Sequence, residues 1–198
     1  MRRHQQIFVS AFLYSCVTFL GVARADVRLP EVFGDHMVLQ RDCEIPVWGT
    51  ANPGERVRVS IDGRSAAAVA GGDGSWKVKL PKMHAGGPYE MTVAGKNKIT
   101  LRDVLLGEVW VCSGQSNMWW PVERVTGIER IVAESNYPKI RLFSVWSPEH
   151  DSYGKKYEWA ACAPETAKEF SAAAFFFGRD LHREMGVPVG LIHASMGG

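Results

Sequence analysis

Nine residues, VLLGEVWVC at positions 104–112, constrain this chain more than any others. A nearly unbroken apolar run is the pattern of a strand buried on both faces, and such strands belong to parallel sheets covered by helices. The run stops at Ser113-Gly114; Gln115, Ser116 and Asn117 follow, then Trp119 and Trp120. Two later segments, IRLFSVW (140–146) and VPVGLIHAS (187–195), read as further buried strands. Between them, FSAAAFFFGRDLHREMG (170–186) reads as a helix, with Ser171 as N-cap, a stripe of Ala174, Phe177, Leu181 and Met185, and Gly186 with Pro188 as the stop. A shorter helix is expected at 128–134, ended by Asn136-Tyr137-Pro138, and residues 147–167 read as a polar loop. Strand, helix and strand at this spacing make a βαβ unit, so residues 104–198 read as the beginning of an α/β domain.

Residues 26–103 carry a different pattern. RVRVSID alternates strictly, with Val57, Val59 and Ile61 on one face, and in SWKVKLP the apolar Trp76, Val78 and Leu80 alternate with Lys77 and Lys79. Asn52-Pro53-Gly54, Asp62-Gly63, the tract 71–74 and Gly86-Gly87-Pro88 punctuate the runs. Short strands with glycine punctuation and no helical run indicate a small sandwich or barrel. The alternating charges read as a solvated face, and Trp48 and Trp76 as core. A carbohydrate-binding face is the other reading of these tryptophans. About 75 residues is enough for such a domain to fold alone.

The first 25 residues stand apart. MRRHQQ is basic, residues 7–22 are apolar, and Ala23-Arg24-Ala25 is an A-x-A site, the pattern of a cleaved secretory signal peptide. Secreted or periplasmic location follows, with no membrane association after cleavage. The apolar run is shorter than the roughly 20 residues of a spanning helix. Net charge is only +2, which gives no footprint for nucleic acid. Beyond the signal segment lie Cys43, Cys112 and Cys162, whose spacings fit neither a zinc site nor a dense disulfide framework. One bridge is allowed in an oxidising compartment, and Cys112 reads as a small buried hydrophobe. No metal or cofactor is expected.

A serine hydroxyl becomes a nucleophile when it is exposed, has a base beside it and faces N–H donors for the developing oxyanion. A sharp turn from a buried strand into a helix meets the first and last needs. Gly114 permits the turn and Ser116 stands at its apex. The same residues also fit a plain N-cap with a turn glycine, and the full G-x-S-x-G elbow is not met, because Met118 replaces its second glycine.

The tract Gly114-Gln115-Ser116-Asn117-Met118 resembles the first signature block of the sialate O-acetylesterase family, SGNH (GDSL-like) hydrolases that remove acetyl groups from sugar hydroxyls. LPEVFGDHMVLQR, IPVWGTANPGE, DGSWKVKLP and GGPYEMTV resemble the family's N-terminal β-domain. DVLLGEVWVCSGQSNMWWPV, WAACAPET, FSAAAFFFGRDL and VPVGLIHASMGG resemble its entry into the catalytic domain. The resemblance implies a β-sandwich-like N-terminal domain followed by a truncated α/β domain, SGNH hydrolase-like, with a parallel sheet in three layers. It implies Ser116 as the acetylated nucleophile, with its own N–H as one oxyanion donor. Gly197-Gly198 would offer a second donor, and Gln115 and Asn117 would shape the elbow. Trp119 and Trp120 are candidates for stacking on the acetylated sugar or glycan substrate; burial against the sheet is the alternative.

The family's Asp-x-x-His block, which supplies base and orienter, and its Gln-Gly-Glu block do not occur in these 198 residues. None of His36, His84, His150, His182 or His193 is assigned as a substitute, and His182 is expected in solvent. The expectation is therefore a carbohydrate O-acetylesterase represented by its N-terminal portion, inactive alone or poorly folded in its second half. An acetyl xylan esterase-like enzyme and a non-catalytic glycan-binding remnant are the alternatives.

Overall fold

The computed structural model describes residues 26–145 and 157–195. The expected signal segment, His150 and Gly197-Gly198 lie outside them. In chain order come β1 (Val38–Gln40), β2 (Ile45–Thr50), β3 (Arg56–Ile61), β4 (Arg64–Val69), β5 (Ser75–Leu80) and β6 (Gly86–Ala94). The 17-residue β7 (Lys98–Gly114) follows, then α1 (Ser116–Trp119), a 3-10 turn (Val122–Arg124), α2 (Ile128–Ala133) and β8 (Tyr137–Ser144). The described chain closes with β9 (Ala160–Cys162), α3 (Pro164–Ala167), α4 (Ala172–Met185) and β10 (Val189–Ser195).

β2 and β5 pair antiparallel as a two-stranded sheet; the other eight strands form one mixed sheet, ordered β4-β3-β6-β7-β10-β8-β9, with β1 also on β7. The alternation of β2, β3 and β5 buries Ile45, Val47, Val57, Val59, Ile61, Trp76, Val78 and Leu80 in one core shared by the two sheets. Their alternate residues, Arg56, Arg58, Lys77 and Lys79 among them, face solvent. Trp48 departs from the expectation of a core residue: it stands on the outward face of β2 opposite Lys77 and is 41% exposed.

β7 organises the molecule. Its first half is antiparallel to β6, and its second half is parallel to β10, with Val189 opposite Glu108 and Ser195 opposite Gly114. β1 lies parallel to its middle, Val38 opposite Leu105. The expected domain division between residues 103 and 104 thus falls inside a continuous strand. It falls at Asp103, whose backbone is left-handed with φ 55°, a conformation that aspartate tolerates better than most residues. The Asp103 carboxylate accepts two hydrogen bonds from Arg141 of β8, at 2.6 and 3.1 Å, and one from His36 Nδ1 at 2.7 Å. Arg141 also donates from Nε to Pro138 O at 2.9 Å, and its side chain is only 6% exposed. The guanidinium holds the Asp103 carboxyl below the usual carboxylate range.

The second core lies between the parallel strands and α4. Ser171 caps α4 as expected, accepting from Ala174 N at 3.2 Å, and Gly186 ends it in the left-handed region with φ 67°. The buried face differs from the expected stripe. Ala174, Phe175 and Gly178 are buried, Leu181 is half-buried, and Phe177 and Met185 are exposed. Gly178 decides this, because a Cβ there would lie 2.5 Å from Leu191 Cδ1; the notch lets β10 approach the helix along that line. Phe177 instead meets exposed Trp110 edge to face at 5.1 Å.

The stretch expected as loop contains β9 and α3. β9 pairs antiparallel with β8, and Trp159 just before it packs on Phe143 at 5.2 Å while donating from Nε1 to Val32 O at 2.8 Å. Elements of three and four residues are too short to show a period. Cys43, Cys112 and Cys162 are all free thiols; burial raises Cys112 and pushes Cys162 up to about 12. Among the described residues no helix is long and apolar enough to cross a membrane.

Two substitutions test this packing by urea unfolding. Arg141→Ala strands the Asp103 carboxylate and is expected to cost about 3 kcal/mol, the lower end for breaking a buried pair because Asp103 is partly hydrated. Gly178→Ala overfills the α4–β10 contact, with an expected loss of about 1–3 kcal/mol. An unchanged midpoint in either variant contradicts the corresponding contact.

Candidate active site

The end of β7 turns directly into α1. Gln115 is extended at the N-cap position, with φ −106° and ψ −153°, and its carbonyl accepts from Met118 N at 2.9 Å and Trp119 N at 3.1 Å. Gly114 suits the turn: a Cβ on it would crowd Met118 Cβ at 3.1 Å. The helix lasts one turn because Trp120 precedes Pro121, and the residue before proline is disfavoured in the helical region; Trp120 has φ −57° and ψ 116°.

The short helix is held from below and behind. Met118 packs into the second core, and its Sδ accepts from Ser171 Oγ at 3.4 Å. Ala172 N donates to Trp120 O at 2.9 Å, Val122 N to Phe170 O at 2.9 Å, and Pro121 bridges Ser171. The start of α4 therefore fixes the exit of the turn that carries Ser116.

Ser116 is the first residue of α1 and is exposed. Among the described residues its Oγ has no hydrogen-bond partner, and the N–H groups of Ser116 and Asn117 have no backbone acceptor, as first-turn amides lack one within a helix. Gln115 and Asn117 are exposed as well, and the Gln115 side chain makes no cap hydrogen bond. Gln115 shapes the turn through its carbonyl. Trp119 and Trp120 are 39% and 47% exposed, so they are not buried against the sheet. The Arg124 guanidinium lies over both rings, 5.8 and 5.6 Å from their centroids, and Trp120 Nε1 donates to Arg124 O at 3.3 Å.

The described histidines are engaged elsewhere. His36 binds Asp103, and His84 Nδ1 lies 2.6 Å from Asp42 Oδ1. His182, expected in solvent, is half-buried and donates from Nδ1 to Val187 O at 2.6 Å. His193 Nε2 shares a 2.5 Å hydrogen bond with Ser195 Oγ. His193 is buried against Phe170, ring centroids 5.6 Å apart, and burial lowers its pKa. Ser195 lies beside Gly114 in the parallel register, so this pair sits next to the turn that carries Ser116. The sequence signal for it was the i, i+2 spacing, which puts both side chains on one face of a strand. Among the described residues no group of three or more His, Cys, Asp or Glu could hold a metal ion.

No family model matches the chain. Sialate O-acetylesterases from Pongo abelii and Homo sapiens are 33% and 32% identical to it over 86% of its length. The crystal structure of a carbohydrate acetylesterase from Xanthomonas citri superposes with a TM-score of 0.79, at 39% identity over 86% of this chain. The chain belongs to the sialate O-acetylesterase family. It spans 37% of the length of those two curated relatives and 40% of the solved chain. Its mixed sheet with few helices is the carbohydrate acetylesterase fold over the matched part.

The buried His193 gives the strand edge beside this turn a pH signature. Its folded pKa lies below the unfolded value of about 6.5, so the unfolded chain takes the proton first. Stability is intact above that value and falls as pH drops from it towards the folded one. His193→Gln removes this loss. The stability advantage of the natural protein over the variant is expected to shrink between about pH 7.5 and pH 5.5 in urea titrations; parallel profiles contradict it.

Proposed function

We propose that the protein acts in hydrolysis of acetyl esters on sugar hydroxyls, with Ser116 as the group that accepts the acetyl. The observation that carries this reading is the state of Ser116 in a chain of this family. Its hydroxyl is exposed and unengaged among the described residues, on a one-turn helix at the end of a parallel strand, with its own N–H free. That edge is where open α/β sheets take ligands.

In the reaction, Ser116 Oγ forms a bond to the acetyl carbonyl carbon as its proton leaves to a base. The carbonyl oxygen becomes an oxyanion facing the Ser116 N–H. Collapse breaks the carbon–oxygen bond to the sugar, which departs as an alcohol carrying a proton. Water then cleaves the acetyl-serine, releasing acetate and restoring the hydroxyl. Trp119 and Trp120 offer exposed apolar faces to the sugar beside the reacting ester. Gly197 and Gly198, which follow Ser195 in the chain, remain candidates for the second oxyanion donor.

No described imidazole touches Ser116, and the Asp-x-x-His and Gln-Gly-Glu blocks are not in these residues. We therefore read this chain as inactive or very slow alone. A triad enzyme without its base keeps about 10³–10⁴-fold catalysis over water. The basic and apolar segment before Ala25 supports a secreted or periplasmic setting. The mammalian relatives are named for acetylated sialic acid and the bacterial structure for acetylated carbohydrate, so the shared chemistry proposed here is the sugar O-acetyl ester.

A fluorophosphonate probe with added imidazole tests the assignment. Phosphonylation is expected at Ser116, at a rate that rises with imidazole concentration, and is absent in Ser116→Ala. Mass-spectrometric mapping of the label to another serine, or a rate indifferent to imidazole, overturns it.

A further inference from the structure

Ser116, Trp119 and Trp120 stand at positions i, i+3 and i+4 of one helical turn, so their side chains share a face, with Cβ atoms about 5–6 Å apart. The chain then folds back through the 3-10 turn Val122–Arg124, and the Arg124 guanidinium lies over both indoles, 5.8 Å from the Trp119 centroid and 5.6 Å from that of Trp120. Trp120 Nε1 donates to Arg124 O at 3.3 Å, which ties down the backbone from which this side chain reaches back. The cation is therefore held on the face that carries the Ser116 hydroxyl.

Arg41, Arg64, Arg102, Arg130, Arg141 and Arg179 each meet a carboxylate. The Arg124 guanidinium meets none among the described residues and donates no hydrogen bond there; its exposed chain neighbour Glu123 is not paired with it. An exposed arginine needs no partner when water alone surrounds it. Two indole rings change that, because they hold the charge in place through a contact that uses none of its N–H donors. A ligand that docks there does not have to order the side chain first. The guanidinium is a planar fork of donors, and a carboxylate accepts it bidentately. A neutral sugar hydroxyl answers a single donor and leaves the charge unmatched. The substrate that fits this face carries a carboxylate on the same sugar unit as the acetyl ester.

We propose that Arg124 is a specificity residue of the ester site: held by Trp119 and Trp120, its guanidinium pairs with a carboxylate of the substrate, so the site prefers acetyl esters of acidic sugars to those of neutral ones. The juxtaposition that assigns it is a guanidinium with open donors, fixed on two indoles, on the helix face of the exposed serine. The assignment rests on Ser116 as the reacting serine. Sialic acids and uronic acids both supply the carboxylate, on opposite sides of the ring oxygen.

The test is an indole ¹H–¹⁵N titration of the full chain with N-acetylneuraminic acid and with glucuronic acid, each beside its neutral methyl ester, at millimolar concentration. The Trp119 and Trp120 signals are identified by their loss in Trp119→Phe and Trp120→Phe. At least one acid is expected to shift them and to bind about tenfold more tightly than its methyl ester, the difference made by one charge-assisted pair. Whichever acid does so names the sugar. Arg124 is exposed, so replacing it opens no core. Arg124→Gln is expected to abolish the preference for acid over ester, and Arg124→Lys, which keeps the charge without the fork, to retain only part of it. Signals that move with neither acid, an acid and ester that bind alike, or a preference that survives in Arg124→Gln overturns the assignment. Fluorophosphonate labelling of the natural chain judges the reacting serine separately. Label at Ser116 without a preference for acid overturns the role of Arg124 alone; a preference for acid with the label on another serine overturns the ester site and the place of Arg124 in it.

Discussion

The Arg141–Asp103 pair is the contact on which the arrangement of the two cores depends. Arg141 is carried by β8, deep in the parallel strands, and Asp103 marks the irregular, left-handed point in β7, where the β6 register shifts a few residues before the parallel pairing with β10 begins at Glu108. Removing a guanidinium from water costs several kcal/mol unless its donors are matched. Here two go to one carboxylate and one to the Pro138 carbonyl. The left-handed backbone at Asp103 and the buried charge on Arg141 are each unfavourable alone, and each is stabilised by the other. His36 completes the carboxylate's shell from the loop before β1, so three segments distant in sequence meet at one point.

From that point, β7 runs straight to the candidate nucleophile. β10 holds its last residues in parallel register, Gly114 ends it under Met118, and the N-terminus of α4 ties down Trp120 and Val122. Ser116 is thus an exposed side chain on a backbone fixed at both ends, the condition for preorganised chemistry on a turn. The His193–Ser195 pair adds a polar contact beneath the same edge, where burial lowers the imidazole's pKa.

Much of this was legible in residues 104–195, because buried parallel strands and a capped helix leave local signals. The apolar runs located β7, β8 and β10; Ser171 and Gly186 bounded α4; the break at Ser113-Gly114 located the exposed serine. What escaped was set by partners far away in the chain. Three consecutive phenylalanines leave the buried face of α4 ambiguous, and the Gly178 notch against Leu191 settles it. Trp48 reads as core from its residue type, but it is out of phase with the buried Ile45 and Val47, and the face of the two-stranded sheet that carries it is left open. Asp103 resembled a boundary because the apolar pattern changes there, but the hydrogen-bond ladder passes through it. Arg141, 38 residues away, leaves no trace in any local window.

The continuity of β7 bears on how such proteins are assembled from parts. β1 and β6 find partners on β7 at Val104, Leu105 and Leu106, beyond Asp103, and Val104 and Leu106 together with Phe143 and Trp159 line the first core. A break after Asp103 would strip β1 of its neighbour and open that core, so the strand-rich portion is not a portable module. Recombination that keeps both portions intact must inherit them as a single block, with the turn that carries Ser116 travelling with the strand-rich portion.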